Sequence, residues 1–150
     1  MSFSKDELIV NIYETLTKKY LCAAGVGAFD SMQELYIKRA DGIILLFSLI
    51  SPSTLDECQH IHDTIVSVGG SPPPPIILGG TKRDLRSQRQ ITFQEAYTQA
   101  QQWGYGYVEI SSKQNFHVDH IFEILIQQIS RDWELMRSVP SKHHKRCILF

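Results

Sequence analysis

Apolar positions along the chain follow two periods, one typical of strands and one typical of helices. A continuous apolar run, GIILLFSL at 42–49, has the length and composition of a strand buried on both faces of a parallel sheet. Shorter runs at 76–78 and 107–110 predict two further strands. Residues 8–24 alternate loosely between apolar and polar side chains, which predicts two strands in an edge hairpin that turns near Thr15–Lys18.

Helix signals lie between these strands. Residues 51–70 carry apolar side chains at helical spacing and end in two glycines, which are typical of a helix C terminus. Thr92 and Glu95 have the spacing of a capping box, and Gly104 marks the end of the helix that they begin. A longer helix is predicted over 116–133. The side chains predicted to form the apolar faces of these three helices are Leu55, Cys58, Ile61, Ile65 and Val68; Phe93, Ala96, Tyr97, Ala100 and Trp103; and Val118, Ile121, Phe122, Leu125 and Ile129.

The order of the elements defines the predicted fold class. After two strands and a short helix that begins at the capping-box pair Ser31 and Glu34, a strand and a helix alternate three times. This alternation is typical of an α/β fold with a mostly parallel sheet and flanking helices, in which ligands bind at the carboxyl ends of the strands. We expect one domain over 1–135 and a flexible basic tail over 136–150.

Composition excludes several kinds of function. The chain has 150 residues, 43% of them apolar, and a formal net charge of −1, so no overall field attracts it to nucleic acid. Its three cysteines form no CxxC pair, and no Cys or carboxylate completes a ligand set beside its six histidines. We therefore expect neither a disulfide framework nor a metal site, and histidines that lie on the solvated surface. We also expect no signal peptide and no membrane-spanning segment.

Two polar segments follow successive predicted strands, at the edge where a ligand is expected. They are GGTKRDL at 79–85 and SSK at 111–113. A carboxylate such as Asp84 can accept hydrogen bonds from both adjacent donors of guanine, and the stem of Lys82 can lie along the flat base. Backbone N–H groups of the second segment could meet the guanine carbonyl. Either segment alone would favour a polar surface turn, but the pair favours a nucleobase site.

These segments resemble the motifs of Ras-family small GTPases. GGTKRDL is similar to the family's GNKxDL guanine motif, EISSK at 109–113 is similar to ETSAK, and residues 23–49 resemble the stretch around DTAGQEEY and the strand after it. The resemblance spans residues 8–135 in order and spacing. It implies a Ras-like fold of the P-loop NTPase type, a function in membrane-associated signalling, and binding of GTP or GDP with Mg²⁺ on the phosphates. The implied nucleotide contacts are Thr81, Lys82, Asp84, Ser111, Ser112 and Lys113 at the guanine, and Gly25 at the γ-phosphate.

The sequence departs from the family at several functional positions. Thr81 stands where the family has an Asn that ties loops together, Cys22 where it has the Asp that holds Mg²⁺ through water, and Val26 where it has the Gln that positions the attacking water. A neutral thiol is a poor partner for a hard cation, and valine neither donates nor accepts a hydrogen bond. The resemblance therefore implies a GTP hydrolase of weak activity, and we assign neither a catalytic residue nor a metal ligand.

The phosphate-binding motif GxxxxGK[ST] does not occur in this sequence. In the family it lies ahead of the position of Met1, with the first strand and first helix, so we expect an incomplete fold without those two elements. Losing about six charge-assisted hydrogen bonds at roughly 1.5–3 kcal/mol each would remove on the order of 10 kcal/mol of binding free energy, which predicts no tight nucleotide binding.

The family's first strand lies between the strands that resemble 20–24 and 42–49. Without it, two buried strand edges would face a gap. The sheet must then be repaired in another way, completed by a partner, or completed by sequence ahead of Met1.

The last four residues, CILF, fit the CaaX prenylation pattern, with Cys147 as the acceptor and a terminal Phe that indicates a geranylgeranyl group. One lipid chain anchors weakly, and Lys142, Lys145 and Arg146 supply a second, basic signal for an anionic membrane. A chance cysteine and a solvated tail are the alternatives. We expect lipid anchoring at the cytoplasmic face of the plasma membrane or an endomembrane. The expected partners are a prenyltransferase and Ras-type effectors or regulators, with no nucleic acid.

Two functions therefore compete. The first is a membrane-anchored, Ras-like GTPase switch, indicated by Asp84, Lys82, Lys113 and the CaaX pattern. The second is a prenylated pseudo-GTPase that acts as a nucleotide-independent binding module, indicated by Cys22, Val26 and Thr81. A fragment that does not fold is a third and weaker alternative, which a cooperative thermal transition would exclude.

Overall fold

Four parallel strands form a single sheet in the computed structural model, which describes residues 21–23, 34–35, 37–68 and 70–137. The spatial order of the strands is their order in the chain. The strands are β1 (Leu21–Ala23), β2 (Ile43–Ser48), β3 (Ile76–Thr81) and β4 (Gly106–Glu109). The predicted edge hairpin turn and the Ser31 cap lie outside the described residues, while 34–35 and 37–38 are helical.

Helices flank this sheet and alternate with its strands, which confirms the predicted α/β class. They are α1 (Pro52–Val68), α2 (Phe93–Trp103) and α3 (Val118–Arg137), with a short 3₁₀ turn at Arg86–Gln88. The predicted inward residues Cys58, Ile61 and Ile65 of α1 are buried. In α3, Ile121, Leu125 and Ile129 are likewise buried. These side chains pack with the apolar residues of β2 and β3 into one core because the 3.6-residue period puts them on one face of each helix.

The start and end of α2 agree with the sequence, but part of its predicted apolar face does not. The Thr92 side chain accepts a hydrogen bond from the Glu95 N–H while Glu95 reaches back to Thr92, and Gly104 ends the helix at φ 75°. Phe93 and Tyr97 were expected to face the core. They are instead 54% and 41% exposed and stack on each other, with ring centroids 5.8 Å apart.

The expected gap in the sheet is closed within the described residues. β1 pairs directly with β2, with Leu21 opposite Ile43 and Cys22 opposite Ile44. In the family that the sequence resembles, another strand lies between these two, so the direct pairing of β1 with β2 differs from the gap that was expected here.

β3 is longer than the predicted run at 76–78, because two glycines continue the strand. Gly79 pairs with Leu46 and Gly80 with Phe47. A Cβ at Gly79 would lie 2.5 Å from the Leu46 side chain, so the absence of a side chain lets β3 pass close to its neighbours. The extension makes Thr81 the last residue of the strand rather than part of the loop after it.

Candidate functional site

The two polar segments leave the sheet side by side. β3 and β4 are adjacent parallel strands, and the Ile110 N–H continues their pairing by donating to the Gly80 carbonyl at 2.8 Å. We call residues 82–85 the first loop and residues 111–117 the second loop. Because both begin at carboxyl ends of neighbouring strands, the structure brings them together at the edge where α/β proteins bind ligands.

Thr81 ties the end of β3 to β2. Its hydroxyl donates to the Phe47 carbonyl at 2.9 Å, and its own carbonyl accepts from the Leu49 N–H at 3.1 Å. The hydroxyl proton is therefore used inside the protein, on the side of β2. Neither of these two contacts reaches the loops, so Thr81 does not connect the first loop to the second.

Lys82 begins a tight turn in the first loop. Its φ of 64° lies in the left-handed region, which costs a non-glycine residue roughly 1–2 kcal/mol. The Leu85 N–H closes the turn on the Lys82 carbonyl at 3.0 Å, and the Arg83 N–H donates to the Ile110 carbonyl at 3.2 Å. This backbone path leaves Lys82 exposed and carries Asp84 toward the second loop.

Asp84 and Ser111 form the central contact between the loops. The Ser111 hydroxyl donates to Asp84 Oδ1 at 2.7 Å and accepts from the Gln114 N–H at 3.2 Å. The pKa of Asp84 is lowered, first by the Ser111 hydrogen bond and then by its backbone and by the charges of Lys113 and Lys82. Asp84 is therefore ionised at neutral pH. Ser111 itself is fully buried, so it supports the carboxylate from within.

The second loop is closed at its base and open at its tip. Ser111 and Phe116 exchange two backbone hydrogen bonds, of 3.0 and 2.9 Å, as an isolated antiparallel bridge. Ser112 and Lys113 are exposed at the tip. Among the described residues, their N–H groups meet no acceptor, so both remain available to a ligand carbonyl.

Sequence reasoning missed the set of contacts around Glu109. Its carboxylate accepts from Arg89 Nη1 at 3.1 Å and from Arg89 Nη2, and the Tyr107 hydroxyl donates to it at 3.0 Å. Arg83 Nε lies 3.7 Å from the same carboxylate. The Glu that begins the EISSK motif is Glu109, and it was the signal in the sequence that could have indicated these contacts. A largely buried carboxylate needs cationic partners. This cluster anchors the bases of both loops.

The remaining predicted site residues are not brought into this site by the described structure. Gly25, Val26, and the tail with Cys147 and its basic neighbours lie outside the described residues. Cys22 is described only as part of β1. Within the described ranges, no group of three His, Cys, Asp or Glu side chains could hold a metal ion. No helix in the same ranges is long and apolar enough to cross a membrane.

One histidine departs from the expected solvated surface. His62 Nδ1 lies 2.7 Å from the Tyr105 hydroxyl, and its ring stacks on Trp103 at a centroid distance of 4.8 Å. Burial lowers the pKa of His62, so the neutral imidazole is favoured. The residue belongs to a packing cluster with Trp103 and Tyr105, which precede β4, whereas the two loops follow β3 and β4.

These observations define an α/β protein in which two loops lie side by side at the carboxyl ends of neighbouring parallel strands. A family model described as the Ras family matches residues 5–131. The chain belongs to the Ras family, and its domain is small-GTPase-like. Membership indicates GTP or GDP and Mg²⁺ as the ligands of the family in general, and regulators and effectors as its partners in general.

The residues of this chain suit guanine better than they suit Mg²⁺. The ionised Asp84 and the two free N–H groups of the second loop suit the donors and the carbonyl of guanine. For Mg²⁺, the position at which the family carries an Asp holds Cys22, whose thiol is a poor ligand for a hard cation. We therefore assign no step to a metal ion.

Proposed function

We propose that the first and second loops form a guanine-binding site in a Ras-like small GTPase that acts in membrane-associated signalling. The observation that carries this proposal is the Asp84 carboxylate, held by the buried Ser111 hydroxyl beside two free N–H groups. Asp84 accepts from the ring N–H and the exocyclic amine of guanine. The N–H groups of Ser112 and Lys113 donate to its carbonyl, and the Lys82 stem covers the base.

The strength of this site can be bounded from its contacts. Two charge-assisted hydrogen bonds to Asp84 at about 1.5–3 kcal/mol each give a total of about 3–6 kcal/mol. A dissociation constant of 1 mM corresponds to about 4.1 kcal/mol, so the base contacts alone support binding on the order of millimolar. Tighter binding requires phosphate contacts that the two loops do not provide.

The proposed site is tested by titrating the ¹⁵N-labelled protein with GDP, with Mg²⁺ and then with chelator. We expect millimolar-range shifts at Lys82, Asp84 and Lys113, which Asp84→Asn abolishes because an amide cannot accept from both guanine donors. Asp56→Asn is the matched control, since Asp56 is an exposed carboxylate on α1. Shifts that persist unchanged in Asp84→Asn would overturn the proposed site.

A second candidate is a pseudo-GTPase that binds partners without cycling nucleotide. It is favoured by Thr81, whose hydroxyl is used by β2, and by Cys22 and Val26, which lack the chemistry of the family's residues at those positions. A folded protein that melts cooperatively but neither binds GDP nor hydrolyses GTP would support this candidate and contradict the first.

We propose in either case that Cys147 carries a geranylgeranyl group and that the tail holds the protein at the cytoplasmic face of a membrane. The CILF terminus supports the modification, and Lys142, Lys145 and Arg146 would each add about 1 kcal/mol at an anionic leaflet. A prenyltransferase is the implied partner. In vitro prenylation should add one lipid to the wild type and none to Cys147→Ser. Equal incorporation would exclude Cys147 as the acceptor.

The lipidated protein should bind vesicles that contain phosphatidylserine more tightly than neutral vesicles. Replacing Lys142, Lys145 and Arg146 with Gln should remove most of that difference, because the lipid chain inserts into both kinds of vesicle and only the basic side chains are attracted by the anionic headgroups. Ras-type effectors or regulators are the further proposed partners.

A further inference from the structure

A cation–π contact joins the two loops next to the proposed guanine site. The Arg83 guanidinium lies over the Phe116 ring, 4.1 Å from its centroid. Arg83 stands between Lys82 and Asp84 in the first loop, and Phe116 closes the base of the second loop. We call Arg83 and Phe116 the loop clasp.

The clasp completes a closed ring of contacts around the site. Asp84 accepts from Ser111, Ser111 exchanges two backbone hydrogen bonds with Phe116, and Phe116 packs under Arg83. Arg83 is bonded covalently to Asp84, so the ring returns to its starting point. Such a ring fixes the separation of the loops at two points, whereas the Asp84–Ser111 hydrogen bond alone would act as a single pivot.

Arg83 is itself held in place on two further sides. Its N–H donates to the Ile110 carbonyl at 3.2 Å, and its Nε lies 3.7 Å from the Glu109 carboxylate. A planar guanidinium can stack on a ring while it faces a carboxylate, which the compact ammonium of lysine does less well. The geometry therefore depends on arginine rather than on positive charge alone.

We propose that Arg83 and Phe116 are positioning residues that set the distance between the Asp84 carboxylate and the N–H groups at the tip of the second loop. The proposal rests on the proposed guanine-binding function. Thr81 cannot supply this tie, because its hydroxyl donates to β2. A purine is selected as guanine only when the carboxylate and the N–H groups meet its two edges at the same time. A looser spacing therefore lowers guanine selectivity as well as affinity.

The test is a double-mutant cycle in which the measured quantity is the selectivity of the protein for guanine. The variants are Arg83→Gln, Phe116→Leu and their combination, and the readout is the ratio of affinities for GDP and IDP, which lacks the exocyclic amine. The contact between Arg83 and Phe116 is partly exposed. Cation–π contacts at exposed sites correspond to about a two- to fivefold change, so each single variant should lower the ratio by at least about twofold. The double variant should lower it no further than either single variant.

Controls separate positioning from general destabilisation. Arg83→Lys keeps the positive charge, so it should retain more of the GDP selectivity than Arg83→Gln but less than the wild type. Arg86→Gln and Phe93→Leu remove an exposed arginine and an exposed ring outside the clasp, and they should leave the ratio unchanged. A thermal melt of each variant verifies that it is folded.

Three results would overturn the proposal, and they are distinguishable. A wild type that binds neither nucleotide would overturn the proposed function and the clasp with it. A wild type that selects GDP, with the ratio unchanged in both single variants, would overturn the clasp alone. Additive losses in the double variant would show that the two residues act separately, which also contradicts the clasp.

Discussion

The Ser111 hydroxyl donates a 2.7 Å hydrogen bond to Asp84 Oδ1 from a fully buried position between the two loops. A buried donor that hydrogen-bonds a partly exposed carboxylate favours the ionised form of that carboxylate. The contact thus sets both the direction and the charge of the group proposed to read guanine. Ser111 therefore supports the site from below rather than offering its side chain to the ligand.

Ser111→Ala should raise the pKa of Asp84 toward its ordinary value, because the largest cause of its lowering is removed. A lowered carboxyl pKa contributes stability above the ordinary carboxyl range, and that contribution is lost as the pH falls through the lowered value. The variant should therefore lose part of the acid sensitivity of the wild type. Carboxyl-carbon NMR titration of Asp84 measures the shift, with Ser112→Ala as the control. An Asp84 pKa equal in wild type and Ser111→Ala would contradict this role.

Glu109→Gln should destabilise the fold, because the Glu109 carboxylate holds Arg89 and Tyr107 and lies near Arg83. Hydrogen bonds to charged groups contribute about 1.5–3 kcal/mol each, and an amide keeps some of them, so we expect a loss of about 1–3 kcal/mol. Urea unfolding measures the change in the free energy of unfolding.

The matched control for that measurement is Glu123→Gln, which removes an exposed carboxylate 3.7 Å from His120. Exposed pairs of this kind contribute at most about 1 kcal/mol. Equal losses in the two variants would mean that the Glu109 cluster adds nothing beyond a surface pair.

The sequence predicted the elements and the meeting of the two loops, because both depend on local signals. Hydrophobic period located β2 and the helices, the Thr92–Glu95 pair located the start of α2, and parallel topology placed the loops together. The departures arise from tertiary context. The hydrophobic period of α2 carries no information about where the sheet ends. The described sheet ends at β4, and there Phe93 packs against Tyr107 while it stays largely exposed.

Other features of the site depend on contacts that no sequence period encodes. The direct pairing of β1 with β2 and the stacking of Arg83 on Phe116 both join residues far apart in the chain. The roles of Gly25 and Cys147 stay predictions, since those residues lie outside the described structure.

Gly79→Ala should destabilise the fold by overpacking the sheet. A Cβ there would lie 2.5 Å from Leu46 Cδ2 and 2.9 Å from Ile121 Cδ1, so both terminal methyl groups must move. Overpacking a core costs typically about 1–3 kcal/mol, and we expect a loss near the lower end because side-chain ends can shift more easily than backbone. Gly106→Ala is the control, because its Cβ would have contacts no closer than 3.7 Å. Denaturant unfolding should give a clear loss for the first variant and little change for the second. Similar values for both would contradict the close packing of β3.

His62 should make the fold sensitive to mild acid. Burial lowers its pKa below that of an unfolded histidine, so the unfolded chain binds more protons there as the pH falls. The stability contributed by the neutral ring is present above about pH 6.5 and is lost as the pH drops through that value toward the lowered pKa. Protonation also forces Nδ1 to become a donor, which the Tyr105 hydroxyl, 2.7 Å away, must then accept. Urea unfolding at pH 7.5 and 5.5 measures the difference in the free energy of unfolding between the two pH values. That difference should be smaller for His62→Gln than for the wild type. His60→Gln, which changes an exposed histidine on the same helix, should retain it. A pH difference in His62→Gln as large as that of the wild type would exclude His62 as the group responsible.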